Sequence, residues 1–321
     1  MVAVDSVQAL VPARCRTVVI NVHTDLVATR AVLSALGASN DPVLVVNCEP
    51  TEDSRRRFER LMATRNVDVV EAPVRVHGAA LDWLFCEVPD ERLLLLDSDA
   101  EIRSPGVVGW MAARLDRREC FGAGFLWGPF LIDDPEWGVP PHAEILYAER
   151  PWVPCVMFDV AAVREALGAG VSFKATLATN ELPFLAGVSS FLGARWGPRW
   201  SLQNRWFNHL PAVVQTRLAT MPLGGLWWAR KPYNGFHPHV VVRDTACEIY
   251  EHLRYRQGLS FAGTPIEISE GEVHHYLGVT RYVLAGTRYV SHGPGGLDVS
   301  PEDVAEEVIA RLVRCYDYVW E

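Results

Sequence analysis

Residues 93–102 read Leu93-Leu94-Leu95-Leu96-Asp97-Ser98-Asp99-Ala100-Glu101-Ile102, four leucines followed at once by two carboxylates one residue apart. Four consecutive apolar residues suit a strand buried on both faces, as in a parallel sheet covered by helices. Such a strand has no internal use for charge. Either it surfaces into an acidic turn, or its end delivers carboxylates to a metal. In an extended chain residues i and i+2 point the same way, so Asp97 and Asp99 can address one ligand. Glu101 reads as a surface residue.

The flanking sequence alternates between two textures. Segments 17–24 (TVVINVHT), 42–48 (PVLVVNC), 66–71 (NVDVVE) and 92–96 read as short buried strands. Between them, 25–36 carries apolar residues at helical spacing and stops at Gly37, 51–65 is a charged helix, and 78–88 turns Leu81, Leu84 and Phe85 inward. This alternation implies βαβ units and a mainly parallel sheet. Sites in such sheets lie beyond the carboxyl ends of the strands. That places His23-Thr24-Asp25, Asn47-Cys48-Glu49, Glu71-Ala72-Pro73 and Asp97-Ser98-Asp99 along one edge.

Further on, 152–158 (WVPCVMF) looks like another buried strand, with Asp159 capping a helix through Leu167. Helix signals return at 245–257. A last helix is marked at 300–321 by Ser300-Pro301-Glu302-Asp303, a capping box with Pro in its first turn. The stretch 191–239 differs, with Trp196, Trp200, Trp206, Trp227 and Trp228 among Gly, Pro and the basic residues Arg195, Arg199, Arg205, Arg230 and Lys231. It reads first as a surface that stacks on a flat or apolar ligand face, then as core, and last as a membrane contact.

Bulk properties narrow the function. The 321 residues are 49% hydrophobic and 21% charged, as in a globular protein. The net charge of −9 argues against general nucleic-acid binding. Seven scattered cysteines without a CxxC pair read as reduced, buried thiols. The N-terminal segment lacks signal-peptide character and no apolar run of membrane-spanning length occurs, so a cytoplasmic protein is expected.

The chemistry of the edge follows partly by elimination. The turn after the first strand, HTDLVA, contains no glycine, and there is no Walker loop, so neither glycine-based phosphate cradle is present. A divalent cation is the remaining obvious way to hold phosphate, and magnesium or manganese prefers carboxylate oxygens.

With these segments in place, the chain resembles the GT-A glycosyltransferases, most closely their family-2-like, largely bacterial branch. Asp97-Ser98-Asp99 resembles the DxD motif. VVINVHTDLVATRAVLSAL resembles the opening strand and helix, and PVLVVNCEPTEDS the second strand and its acidic turn. VHGAALDWLF resembles the helix before the DxD strand, PCVMFDVAAVREAL a mid-domain strand and helix, and HHYLGVTR a late His-x-x-Gly-x-(Ser/Thr)-Arg segment. The match covers about 17–170 well and 244–282 loosely.

The resemblance implies an α/β GT-A (Rossmann-like) nucleotide-diphospho-sugar transferase fold, a mixed, mainly parallel sheet flanked by helices. One domain, 1–321, would hold a donor half at 17–125 and an acceptor half at 126–290, with the Trp-rich insertion inside it. The implied activity is metal-dependent transfer of a sugar from a nucleotide-diphosphate sugar to a small-molecule or glycan hydroxyl. Asp99 would ligate the metal with Asp97 assisting. His23, Thr24, Asn47 and Glu49 would surround the nucleobase, although relatives often carry Asp-Asp-Gly-Ser where this chain has Asn-Cys-Glu-Pro. Arg75, His77, Asp82 and Ser98 would lie near ribose or diphosphate, and Arg281 would meet the diphosphate. His275, favoured over its neighbour His274 and over His292, would complete the metal shell. Asp244, also a good helix N-cap, would be the general base of an inverting reaction, with Glu248 the alternative.

Two other readings remain. A nucleotidyltransferase shares the architecture but usually carries a Gly-rich basic loop after the first strand, which HTDLVATR lacks. A non-catalytic nucleotide- or carbohydrate-binding protein would need neither Asp99 nor a base.

Overall fold

The computed structural model describes residues 6–64, 66–73, 75, 77–128, 130–132, 145–179, 240–265 and 271–275. Arg281, His292, the Trp-rich stretch 191–239 and the expected helix at 300–321 lie outside the described residues.

The first half forms as its sequence requires. β1 (Arg16–Val22), β2 (Val43–Cys48), β3 (Val67–Ala72) and β4 (Arg92–Asp97) are parallel and adjacent, joined by α1 (Asp25–Ala38), α2 (Glu52–Thr64) and α3 (His77–Glu87). Then come β5 (Ala100–Ile102), α4 (Pro105–Leu115), β6 (Cys120–Trp127), β7 (Phe130–Ile132) and β8 (Ile145–Tyr147). They are followed by β9 (Arg150–Asp159), α5 (Val160–Gly168), β10 (Thr176–Thr179), β11 (Val240–Arg243), α6 (Cys247–Glu251), β12 (Ser260–Pro265) and β13 (Val273–His275).

The main sheet has seven strands in the order β12-β6-β9-β4-β1-β2-β3, all parallel except β9, which runs against both its neighbours. This is the mixed, mainly parallel sheet that the alternation of strands and helices implies. A four-stranded sheet, β10-β11-β8-β7, and a two-stranded pair, β13-β5, accompany it.

The leucine run explains its own composition. Leu93 and Leu95 enter one core layer with Leu81, Leu84, Phe85 of α3 and Val160, Val163 of α5. Leu94 and Leu96 enter the other with Ala28, Val32 of α1, Phe58 of α2 and Val107, Met111 of α4. Alternation across the pleat sends each pair to a different layer of helices, so all four positions must be apolar.

Several boundaries shift for local reasons. β1 stops at Val22 because His23 takes a left-handed backbone, φ 55°. α1 runs through Gly37 to Ala38, so that glycine does not end it. Asp159 does cap α5, accepting a hydrogen bond from the Ala162 amide at 2.9 Å. The helix expected over 245–257 is broken into α6 and a π-helical turn at His252–Arg256. Its N-cap is Ala246, in the left-handed region at φ 71°, rather than Asp244. Glu101 is also corrected from a surface residue: it is 9% exposed on β5 and pairs with Arg30 of α1.

Among the described residues Cys15, Cys48, Cys120, Cys155 and Cys247 are buried thiols, whereas Cys86, expected to be buried, is exposed. Among the described residues no helix is long and apolar enough to cross a membrane.

Candidate metal and nucleotide site

The acidic turn lies where β4 emerges from the sheet. β5 follows it immediately and pairs antiparallel with β13, setting Ala100 opposite His275 and Glu101 opposite His274. This register separates the two adjacent histidines. His275 Nε2 lies 3.2 Å from Asp99 Oδ1, and its ring packs edge-on against Trp152, centroids 5.6 Å apart. Ligating atoms of Asp97, Asp99 and His275 all lie within 4.8 Å of one another. Two carboxylates and an imidazole on one centre suit a divalent cation with positions left for phosphate oxygens.

The electrostatics of the cluster favour a cation. Burial pushes the Asp97 carboxyl above its ordinary range; His77 pulls it down, Asp99 pushes it up, and His275 and Arg150 pull it down. His77, opening α3, places Nε2 3.8 Å from Asp97 Oδ1. Asp99 is 4% exposed. A buried carboxylate beside a part-buried one is costly unless positive charge neutralises the pair.

The residues expected around the nucleoside divide into two groups. Thr24, Asn47 and Ser98, expected to contact the nucleotide, are buried and bonded within the protein. Asn21 Nδ2 donates to Asn47 Oδ1 at 2.8 Å and to Asp25 Oδ1 at 2.7 Å. Asn47 Nδ2 donates to Ser54 Oγ at 3.1 Å, and the Thr24 amide donates to Asn21 Oδ1 at 3.1 Å. The Thr24 hydroxyl lies 3.1 Å from Ser98 Oγ, inside the acidic turn itself. These contacts lock the ends of β1, β2 and β4 to one another. Asn21, overlooked in the sequence, is the hub; a lone asparagine inside a strand that otherwise alternates into the core was the available signal.

His23 and Glu49 form the second group. They follow β1 and β2 with left-handed backbones, φ 55° and 48°, and their side chains approach to 3.9 Å at the more open side of the edge. Backbone of this kind is uncommon outside glycine and costs about 1–3 kcal/mol per residue. Arg75 lies with its guanidinium 4.5 Å from the Trp83 ring centre on α3. Asp82, expected near ribose or diphosphate, is bonded within the protein. Its oxygens accept from Ser172 Oγ at 2.6 Å and the Phe173 amide at 2.8 Å, anchoring the chain after α5.

The candidate base also has an unexpected partner. Asp244 Oδ2 pairs with Arg150 Nη2 at 2.6 Å, and Oδ1 accepts from the Thr245 amide at 2.8 Å. Arg150 opens β9, and its guanidinium sits 4.9 Å from the Trp127 ring centre. A lone arginine far in sequence from the DxD stretch gave no signal of this placement. Glu248 follows in the first turn of α6, part-exposed.

No family model and no curated protein sequence matches the chain. Solved structures give distant likenesses. The mannosyltransferase PcManGT from Pyrobaculum calidifontis, in complex with GDP-Man and Mn2+, is 12% identical with a TM-score of 0.37, over 47% of this chain and 46% of that one. TarS from S. aureus, in complex with UDP-GlcNAc, is 13% identical with a TM-score of 0.36, over 50% and 48%. The 4-diphosphocytidyl-2C-methyl-D-erythritol synthase from Anaerococcus prevotii is 10% identical with a TM-score of 0.35, over 49% and 74%. The first two matches span about half of those proteins, 46% and 48%. At these TM-scores the likeness decides nothing about activity.

Proposed function

We propose that the protein is a metal-dependent glycosyltransferase that moves a sugar from a nucleotide-diphosphate sugar to an acceptor hydroxyl with inversion. The observation that carries this reading is the convergence of Asp97, Asp99 and His275 at the end of β4, through the pairing of β5 with β13. Asp99, Asp97 and His275 would hold Mn2+ or Mg2+. When bound, the cation would stabilise the negative charge of the departing diphosphate.

The remaining roles fall to the chain's own groups. His23 and Glu49 flank the nucleobase, while the Asn21 network, with Thr24, Asn47 and Ser98, holds the strand ends that shape its site. Arg75 and His77 serve ribose or diphosphate, and Arg281 serves the diphosphate. Asp244, with Glu248 as the alternative, accepts the proton of the acceptor hydroxyl as its oxygen bonds the anomeric carbon and the bond to the diphosphate breaks. Residues 17–125 form the donor half and 126–290 the acceptor half, in which the tryptophan-rich stretch stacks on a natural-product or cell-envelope acceptor.

Asp99→Ala separates this reading from a binding protein that has no use for a metal. Calorimetry is expected to show loss of Mn2+-dependent nucleoside-diphosphate binding, with turnover lost in parallel. Unchanged ligand binding in Asp99→Ala would sink the metal-dependent reading.

A further inference from the structure

We propose that Arg150 exchanges partners during the reaction, covering Asp244 in the free protein and passing to the donor's diphosphate when that anion arrives. The inference deepens the glycosyltransferase reading and rests on it.

The two members of the ion pair have unequal needs. The Arg150 side chain is 10% exposed, whereas that of Asp244 is 35% exposed. A buried guanidinium without an anion is strongly unfavourable, so Arg150 must always have a partner. Asp244 can lose the pair and remain solvated, with the Thr245 amide still donating to Oδ1. Whichever anion competes for Arg150 therefore decides the state of Asp244.

Position makes a diphosphate the fitting competitor. Arg150 lies two residues before Trp152, whose ring touches His275 of the metal cluster. Its charge also reaches Asp97. The guanidinium already rests on the Trp127 ring, so an exchange requires the fork to re-aim while its stacking surface stays in place. A planar fork bonds two phosphate oxygens as readily as two carboxylate oxygens.

The consequence is an order of events. While the pair holds, the Arg150 guanidinium occupies Asp244 Oδ2 and closes it to an acceptor hydroxyl. Arrival of the donor removes that cation and leaves Asp244 free to take a proton only when a sugar is present to transfer. Arg150 is thus a positioning residue for the base and a direct ligand of the diphosphate.

Carbodiimide labelling with an amine, read by peptide mass mapping at residue 244, tests this on the wild-type chain. The probe is inorganic pyrophosphate with Mn2+. Labelling of Asp244 is expected to rise several-fold on adding the probe. In Arg150→Gln it is expected to be high with or without pyrophosphate, and pyrophosphate affinity to fall about tenfold or more. Arg150→Lys should recover part of that affinity. Labelling that does not respond in a wild-type protein that binds Mn2+ and a nucleoside diphosphate overturns the exchange alone. A wild-type protein that binds no nucleoside diphosphate removes the glycosyltransferase reading and this inference with it.

Discussion

At the scale of single residues, the edge of the sheet is where local stability is given up. Asp97 shows the cost most clearly. Burial raises its pKa, so the folded chain holds that proton more tightly than the unfolded chain does. The sign follows from linkage: its contribution is fully present below the ordinary carboxylate range and is lost as pH rises through the raised value. Asp97→Asn removes this loss. We expect the metal-free variant to melt above the wild type at neutral pH while its response to Mn2+ disappears. A melting temperature equal to or below the wild type's would show that Asp97 carries no such penalty. His23 and Glu49 belong to the same pattern, with left-handed backbone at two neighbouring strand ends.

At the scale of elements, most of the scaffold was legible in the sequence and most of the site's assembly was not. The first four strands announce themselves because burial on both faces demands unbroken apolar runs. Leu94, fully buried against α1 and α4, tests that account: Leu94→Ala should cost about 2–5 kcal/mol in denaturant unfolding, by lost transfer energy and the cavity left behind. A cost under about 1 kcal/mol would mean the site is not packed as described. β5 and β13 have three residues each, too few for periodicity to register, yet their pairing brings His275 to Asp99. Helix α4 also escaped notice, because Pro105, Gly106 and Gly109 dilute its helical signal. Glu101 reads as surface in a string, since only the fold supplies Arg30 as its partner. Arg150 and Asp244 meet only because β9 and the end of β11 are brought together, 94 residues apart.

At the scale of the whole molecule, the sheet is polarised. Its carboxyl edge gathers the candidate metal ligands Asp97, Asp99 and His275, the Asn21 network and the Arg150 pair. The amino edge is fastened by a buried ion pair between Arg16, opening β1, and Asp90, just before β4, with Nε 2.7 Å from Oδ2. Arg16 also reaches Asp68 at 2.5 Å and the Val11 carbonyl at 2.8 Å, and the Ala13 amide donates to Asp90 at 2.7 Å. Removing Asp90 takes one of two carboxylates from a guanidinium that is 1% exposed and leaves Asp68 as its remaining anion. Asp90→Ala is therefore expected to lower stability by about 1.5–3 kcal/mol in urea unfolding, without altering nucleotide affinity in the protein that remains folded.

The central claim is that this edge binds a nucleoside diphosphate through a divalent cation. A thermal-shift screen of the wild-type chain with UDP, GDP, dTDP and CDP, each with and without Mn2+, tests it most directly, since a ligand that prefers the folded state must stabilise it. The account predicts that at least one nucleoside diphosphate raises the melting temperature, and does so only with Mn2+ present. It is contradicted if none of the four does so under either condition.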